Sequence, residues 1–167
     1  MKMKTIVRKA TKKDLKDVVR LWIELINYHN HLDKRFWNRA ANGPAKFQEW
    51  MKQSLTDSKR ILLVAELSGN VVGFTHGMLK QSPPPMQPRL GGFVTDFVIS
   101  KAVRREGLGS KILKKLEAWF IAKGAKEITL TSAAKNLPAM SFWAKKGFDH
   151  WTFTMWKPLR NPGTRNN

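Results

Sequence analysis

The chain has 167 residues, 42% of them hydrophobic, enough to bury a core and against a disordered chain. It has no cysteine, which excludes disulfides and thiolate metal sites, and no apolar run approaches the roughly 18 residues a membrane-spanning helix needs. Lys and Arg number 31 against 12 Asp and Glu, a formal charge of +19 that favours anionic partners such as a phosphorylated cofactor, nucleic acid or an acidic protein. The basic residues are spread along the chain rather than blocked together, which weakens a dedicated nucleic-acid stripe. Met1-Lys2-Met3-Lys4 lacks the apolar region of a signal peptide, so the expectation is a cytoplasmic protein. One domain over residues 1–158 and a polar, flexible tail over 159–167 are expected.

Residues 5–10 read as a first strand, and Thr11-Lys12-Lys13-Asp14 as a capping box opening a helix. Leu15, Val18, Val19, Trp22, Leu25 and Ile26 then recur at helical spacing. A polar stretch over 27–42 connects to a second helix with Pro44 in its first turn and Phe47, Trp50, Met51 and Leu55 on its apolar face. Residues 61–67 and 71–79 form a strand pair around the turn Ser68-Gly69-Asn70. Gly73 and Gly77 mark bulges or close backbone approach. The prolines of 82–88 make a loop, and 90–99 is the next strand. Ile112, Leu113, Leu116, Trp119 and Phe120 give a third helix over 108–123, capped at Gly124. Residues 126–131 are a strand, Pro138 opens a short helix ending at Gly147, and the alternation over 148–156 predicts a last strand. The fold class is therefore α/β, a mixed sheet covered by helices on both faces, in the order β-α-α-β-β-β-α-β-α-β.

The most informative segment is Arg104-Arg105-Glu106-Gly107-Leu108-Gly109-Ser110, which joins a strand to a helix N-terminus. The first N–H groups of a helix lack intrahelical partners and carry partial positive charge, so a glycine turn feeding them cradles phosphate. A dinucleotide fingerprint fails because Ile112 stands where its third glycine belongs, and Gly109-Ser110-Lys111 has the wrong order for a Walker A loop. What remains is Arg104-x-x-Gly107-x-Gly109, followed downstream by Asn136, Ala139, Trp143 and Gly147-Phe148.

In these two blocks, and in the order of its elements, the chain resembles the GNAT family of N-acetyltransferases over roughly residues 5–157. The resemblance implies a splayed central sheet and acetyl-CoA as acetyl donor, with no metal. It implies that the backbone from Arg104 through Arg105, Glu106, Gly107, Leu108 and Gly109 to Ser110 cradles the pyrophosphate, with Arg105 and Lys111 assisting. It also implies that Phe97, Val98 and Ile99 pair with the pantetheine arm like an added strand, one N–H polarising the thioester carbonyl, and that Asn136 contacts the same arm. The acceptor is an amine, small-molecule or peptide, attacking directly in a ternary complex.

Where many family members carry a tyrosine acid, this chain has Trp143, whose indole N–H is a donor but a negligible acid. Either the thiolate leaves unassisted, or Trp143 packs on or donates to the sulfur, or the protein binds CoA for regulation without turnover. The lone tyrosine, Tyr28, fits the role only if the fold brings it close. Asp96 is the candidate base: a carboxylate in an apolar strand is costly to bury unless it faces a cleft or partner, and its place matches the family's acceptor-side carboxylate. His76 and His150 lie on expected strands and act, if at all, through water, and His76 is also read as a contact to the acceptor. Asp33, Arg35 and Phe36 fall where the family builds its acceptor pocket. Trp22, Trp50 and Trp119 read as core. Trp143, Trp151 and Trp156 read as packing residues, with a wall of the acceptor site or a homodimer interface as the alternatives. The charge alone keeps a ribosome- or nucleic-acid-associated protein as a further alternative.

Overall fold

The computed structural model describes residues 5–35 and 37–159. Four antiparallel strands, β1 (Thr5–Lys9), β2 (Arg60–Leu67), β3 (Asn70–Gln81) and β4 (Leu90–Ile99), lie side by side in chain order. β5 (Ile128–Leu130) joins parallel to β4, after the crossover helix α3 (Leu108–Ala122). β4 and β5 pair only from Gly92 with Ile128 to Val94 with Leu130. The strands then part, so the C-terminal half of β4 is without β5 beside it. This is the splay expected of the sheet.

β2 reads as a continuous apolar run because both its faces are covered. Leu62 and Val64 enter a core with Phe74 and Val98, packed by α1 (Leu15–Leu32) through Val18 and Leu21 and by α2 (Gly43–Ser54) through Phe47 and Met51. Ile61, Leu63 and Ala65 enter a second core with Val94, packed by Ile112, Leu116 and Phe120 of α3. The last helix, α4 (Leu137–Lys145), closes the far end of the sheet by setting Trp143 edge-on against Phe97, centroids 4.9 Å apart.

Local chemistry sets the boundaries. Asp14 accepts from the Thr11 backbone N–H at 2.7 Å and its hydroxyl at 2.9 Å, and takes both terminal nitrogens of Arg8 at 2.8 Å. The Ser68-Gly69 turn between β2 and β3 has φ of 51° and 85°, as the tight two-residue hairpin demands.

Two expectations need correction. α1 does not stop near Ile26 but runs through Asn27, Tyr28 and His29 to Leu32. The helix persists there because His29 stacks on Trp37 at 4.5 Å and meets Asn136, contacts that outweigh the weak helix propensity of a His/Asn-rich stretch. The strand expected over 148–156 is not formed: the described residues after α4 carry no regular structure, and Trp151, Phe153 and Met155 are exposed. Trp151, at 73% exposure, is therefore not a packing residue, whereas Trp156, at 50%, has the Arg35 guanidinium over its ring, 4.7 Å from the centroid. Among the described residues no helix is long and apolar enough to cross a membrane.

Candidate active site

The parting of β4 from β5 opens a cleft of about 550 Å³. One wall is the free half of β4, with Phe97, Val98 and Ile99. The floor is the turn into α3, with Arg104, Arg105, Gly107, Leu108, Gly109 and Ser110. The opposite wall is the start of α4, with Asn136, Ala139 and Trp143, and α1 closes over it with Leu25 and Tyr28.

The turn is built for an anion. Arg105 has φ of 71°, uncommon for a residue with a side chain, and Gly107 has φ of 74°. Left-handed residues alternating with others turn successive N–H groups toward one side, forming a concavity that suits phosphate oxygens. Gly107 is also the N-cap of α3, so the helix N-terminus opens directly onto the cleft. Arg104 steadies the turn by donating from Nε to the Ile99 carbonyl at 3.0 Å, tying the loop to the end of β4. A Cβ at Gly109 would stand 3.2 Å from the Phe142 ring, so glycine keeps this part of the cleft open. A strand edge, an anion concavity and a helix N-terminus in one line fit a long ligand with a phosphate group at one end and an amide-bearing arm at the other.

Asn136 does two jobs. Its Oδ1 caps α4 by accepting from the Ala139 N–H at 3.3 Å, and its amide nitrogen donates to His29 Nε2 at 3.2 Å. The Tyr28 hydroxyl reaches the same Oδ1 at 3.4 Å. Tyr28 is therefore in the cleft, brought there by the two turns that α1 adds beyond Ile26. His29 Nδ1 is buried without a hydrogen-bond partner among the described residues, and burial holds the imidazole below its usual pKa.

The remaining candidates divide. Trp143 lines the cleft but is 9% exposed, held edge-on by Phe97, Phe142 and Phe148, the surroundings of a packing residue. Glu106 is exposed and not part of the wall. Asp33 is also outside the wall, paired with Arg35 and, at 3.2 Å, with Lys135, and Arg35 holds its carboxyl well below the usual range. Phe36 lies outside the described residues. His76 corrects an expectation: it is fully buried, both ring nitrogens are engaged, and it meets no cleft. Burial, with Arg60 nearby, pushes its pKa down to about 4.

Asp96 follows the bulge in β4. His76 pairs with Asp96 and Gly77 with Val94, leaving Thr95 as the extra residue. Asp96 keeps part of its surface open yet is largely surrounded by protein, which pushes its carboxyl up to about 6 against the opposing hydrogen bond from the Thr95 hydroxyl. A carboxyl so tuned is half ionised near pH 6 and mostly ionised at neutral pH, while more basic than an ordinary carboxylate, the condition for general base work.

The profile of the Acetyltransferase (GNAT) family matches residues 14–148, most of the chain and every residue that lines the cleft. The chain belongs to this family. GNAT proteins take the acetyl group from acetyl-CoA, and this chain is an acetyl-CoA-dependent acetyltransferase. It is 26% identical over 140 residues to an "uncharacterized N-acetyltransferase" of Archaeoglobus fulgidus, covering 84% of this chain and 90% of that one. It is 25% identical over 118 residues to another, YhfO of Bacillus subtilis, covering 71% and 78%. Among solved structures, a mutant of the BH1408 protein from Bacillus halodurans superposes with a TM-score of 0.82 at 24% identity, over 92% of this chain and 99% of that one. The aminoglycoside N-acetyltransferase AAC(6')-Iy in complex with CoA superposes at 0.72 and 14% identity, over 96% and 98%, a likeness of fold alone.

Proposed function

We propose that the protein acetylates a small-molecule or peptide amine by direct attack in a ternary complex, with Asp96 as general base. The observation that carries this reading is the arrangement of β4. One residue of the strand, Asp96, presents a carboxyl with a raised pKa, and the next three, Phe97, Val98 and Ile99, line the cleft that fits the donor. The donor supplies a thioester whose carbonyl carbon accepts the amine nitrogen and whose sulfur departs.

In this reading the Arg105–Gly107 turn and the α3 N-terminus bind the pyrophosphate, and the β4 backbone from Phe97 to Ile99 orients the pantetheine arm. Asp96 takes the proton that the amine must lose. Asp96 lies on the same face of β4 as Val98, toward α1 and α2, so the acceptor enters from that side. The proton for the departing sulfur comes from Tyr28, the one phenol of the chain and part of the cleft wall, because the Trp143 indole N–H is a negligible acid. AAC(6')-Iy, whose fold this chain shares, acts on aminoglycosides, which supports an amine-bearing small molecule as acceptor class.

The test is an acetylation assay on a panel of amines followed by free-thiol release, with wild type, Asp96→Asn and Tyr28→Phe run in parallel. Turnover with at least one amine, lowered about 100-fold or more by Asp96→Asn, is the expected result. Acetyl-CoA binding without turnover on any amine, or an unchanged rate in Asp96→Asn, would sink it.

A further inference from the structure

The bulge in β4 places the side chains of Thr95 and Asp96 together opposite His76. From there a line of polar atoms crosses the protein. Thr95 Oγ1 is 2.8 Å from Asp96 Oδ2 and 2.6 Å from His76 Nδ1. His76 Nε2 is 3.0 Å from Ser54 Oγ, and Ser54 Oγ is 3.1 Å from the Trp50 carbonyl oxygen. His76 has no exposed surface, and its ring stands edge-on to Trp50, centroids 5.0 Å apart. Ser54, at the end of α2, lines a second cleft of about 270 Å³ at the corner of α2 and β2, walled also by Lys9, Asp57, Arg60 and Lys123. The line thus begins at the proposed base and ends at a different opening.

Counting protons fixes what the line can do. It has four links and terminates on an acceptor, the Trp50 carbonyl. Each hydroxyl and a neutral imidazole contribute one proton apiece. With Asp96 protonated there are four protons for four links, and one arrangement fills them all. Asp96 donates to Thr95, Thr95 to Nδ1, Nε2–H to Ser54, and Ser54 to the carbonyl. With Asp96 ionised there are three. The 2.8 Å link to the carboxylate and the 2.6 Å link to Nδ1 are the shortest, so they stay filled and the imidazole carries its proton on Nδ1. The His76 carbonyl, 3.4 Å from Thr95 Oγ1, is the longer alternative acceptor for that hydroxyl.

We propose that Thr95, His76 and Ser54 form a reversible proton path between Asp96 and the second cleft. Asp96 O–H breaks as a new Thr95 O–H forms, the former Thr95 proton passes to Nδ1, the Nε2 proton passes to Ser54, and the former Ser54 proton leaves to water in that cleft. Every donor regains a proton as it loses one, except Asp96, which is returned to its ionised state. The imidazole is neutral before and after, left as Nδ1–H by an outward passage and returned to Nε2–H by an inward one, so the line exchanges the Asp96 proton with the second cleft. The charged groups facing His76 are the Asp57–Arg60 ion pair at the head of β2, with opposite effects on it, and Asp96 itself. α2 faces it with uncharged Trp50 and Ser54. α3 packs on the other side of the sheet, with Leu116 and Phe120 against Gly77. Thr95, His76 and Ser54 are positioning residues, since none touches the reacting atoms. The bearing of this path on the reaction rests on Asp96 being the base.

The experiment is ¹⁵N NMR of the histidine-labelled full chain between pH 5 and 8, which distinguishes Nδ1–H, Nε2–H and cationic rings. His76 is expected to remain neutral and to pass from Nδ1–H to Nε2–H as pH falls through the titration of Asp96. Asp96→Asn and Thr95→Val should each remove the pH response, and Thr95→Ser should retain it. One tautomer at every pH in wild type, a cationic His76, or a response that survives Thr95→Val overturns the proposal. If Asp96→Asn keeps full activity while the wild-type tautomer still follows Asp96, the proton line stands and the base assignment falls. If Asp96→Asn is inactive and the wild-type tautomer never changes, the base stands and the line falls.

Discussion

Asp96 carries the sharpest expectation at the scale of single residues. Its carboxyl is pushed up to about 6, and a base works in its ionised form, so kcat/KM should rise with pH through about 6 and level off above. A pH–rate profile checks this, and the limb should vanish in Asp96→Asn. Tyr28→Phe should lower kcat about 10-fold or more with little change in KM for acetyl-CoA, if its phenol donates to the sulfur. Gly107→Ala acts through the backbone: with φ at 74°, a Cβ costs about 1 kcal/mol there. The turn should shift to relieve it, raising KM for acetyl-CoA more than it lowers kcat. Asp96 was conspicuous in the sequence because a carboxylate in an apolar strand needs a reason. The place of Tyr28 in the cleft was not legible, since it shows only beside Asn136, 108 residues away. His76 read as an acceptor contact because a histidine in a strand shows its chemistry but not its burial.

Among the elements, the start of α1 was written plainly. The Thr11–Asp14 box appears as read, and Arg8 from β1 locks it. That clamp holds Asp14 down to about 2, against 3.8 in the unfolded chain, so its contribution of about 2 kcal/mol is present above pH 4 and lost as pH falls toward 2. Asp14→Ala should lose about that much at pH 7 in urea unfolding. The end of α1 and the missing last strand show the opposite case. Helix propensity is local, and contacts of His29 with Trp37 and Asn136 override it. Alternation over 148–156 describes a segment that fits a half-buried pleated surface, but a strand forms only beside a neighbour with free N–H and C=O groups. The sequence pattern names no such neighbour. β4 was found with its bounds, and Gly77 opposite it marked where the register shifts, yet the extra residue was hidden: Thr95 sits in an apolar run where a change in alternation leaves no mark.

For the molecule as a whole, two buried groups oppose each other in acid. His76 titrates near 4 when folded and 6.5 when unfolded, so the unfolded chain binds more protons between those values and stability falls by about 3 kcal/mol as pH drops across them. Asp96 titrates near 6 when folded and 3.8 when unfolded, so over nearly the same window the folded chain binds more protons and stability rises by about 3 kcal/mol. The two nearly cancel. Asp96→Asn removes one side, and its stability should fall between pH 6.5 and 4 by about 3 kcal/mol more than that of wild type, measured by urea unfolding at pH 7, 5 and 4. The bulge between these groups has one more consequence. Val94 belongs to the core under α3 and Val98 to the core under α1 and α2, although four residues of unbroken strand would set both on one side. Thr95 absorbs the difference. Deleting that single residue would leave Val94, Asp96, Phe97 and Val98 facing as they do now, in regular alternation. This strand can therefore lose a residue more safely than most strands, and the length of β4, as much as its composition, is a variable on which its curvature can be adjusted.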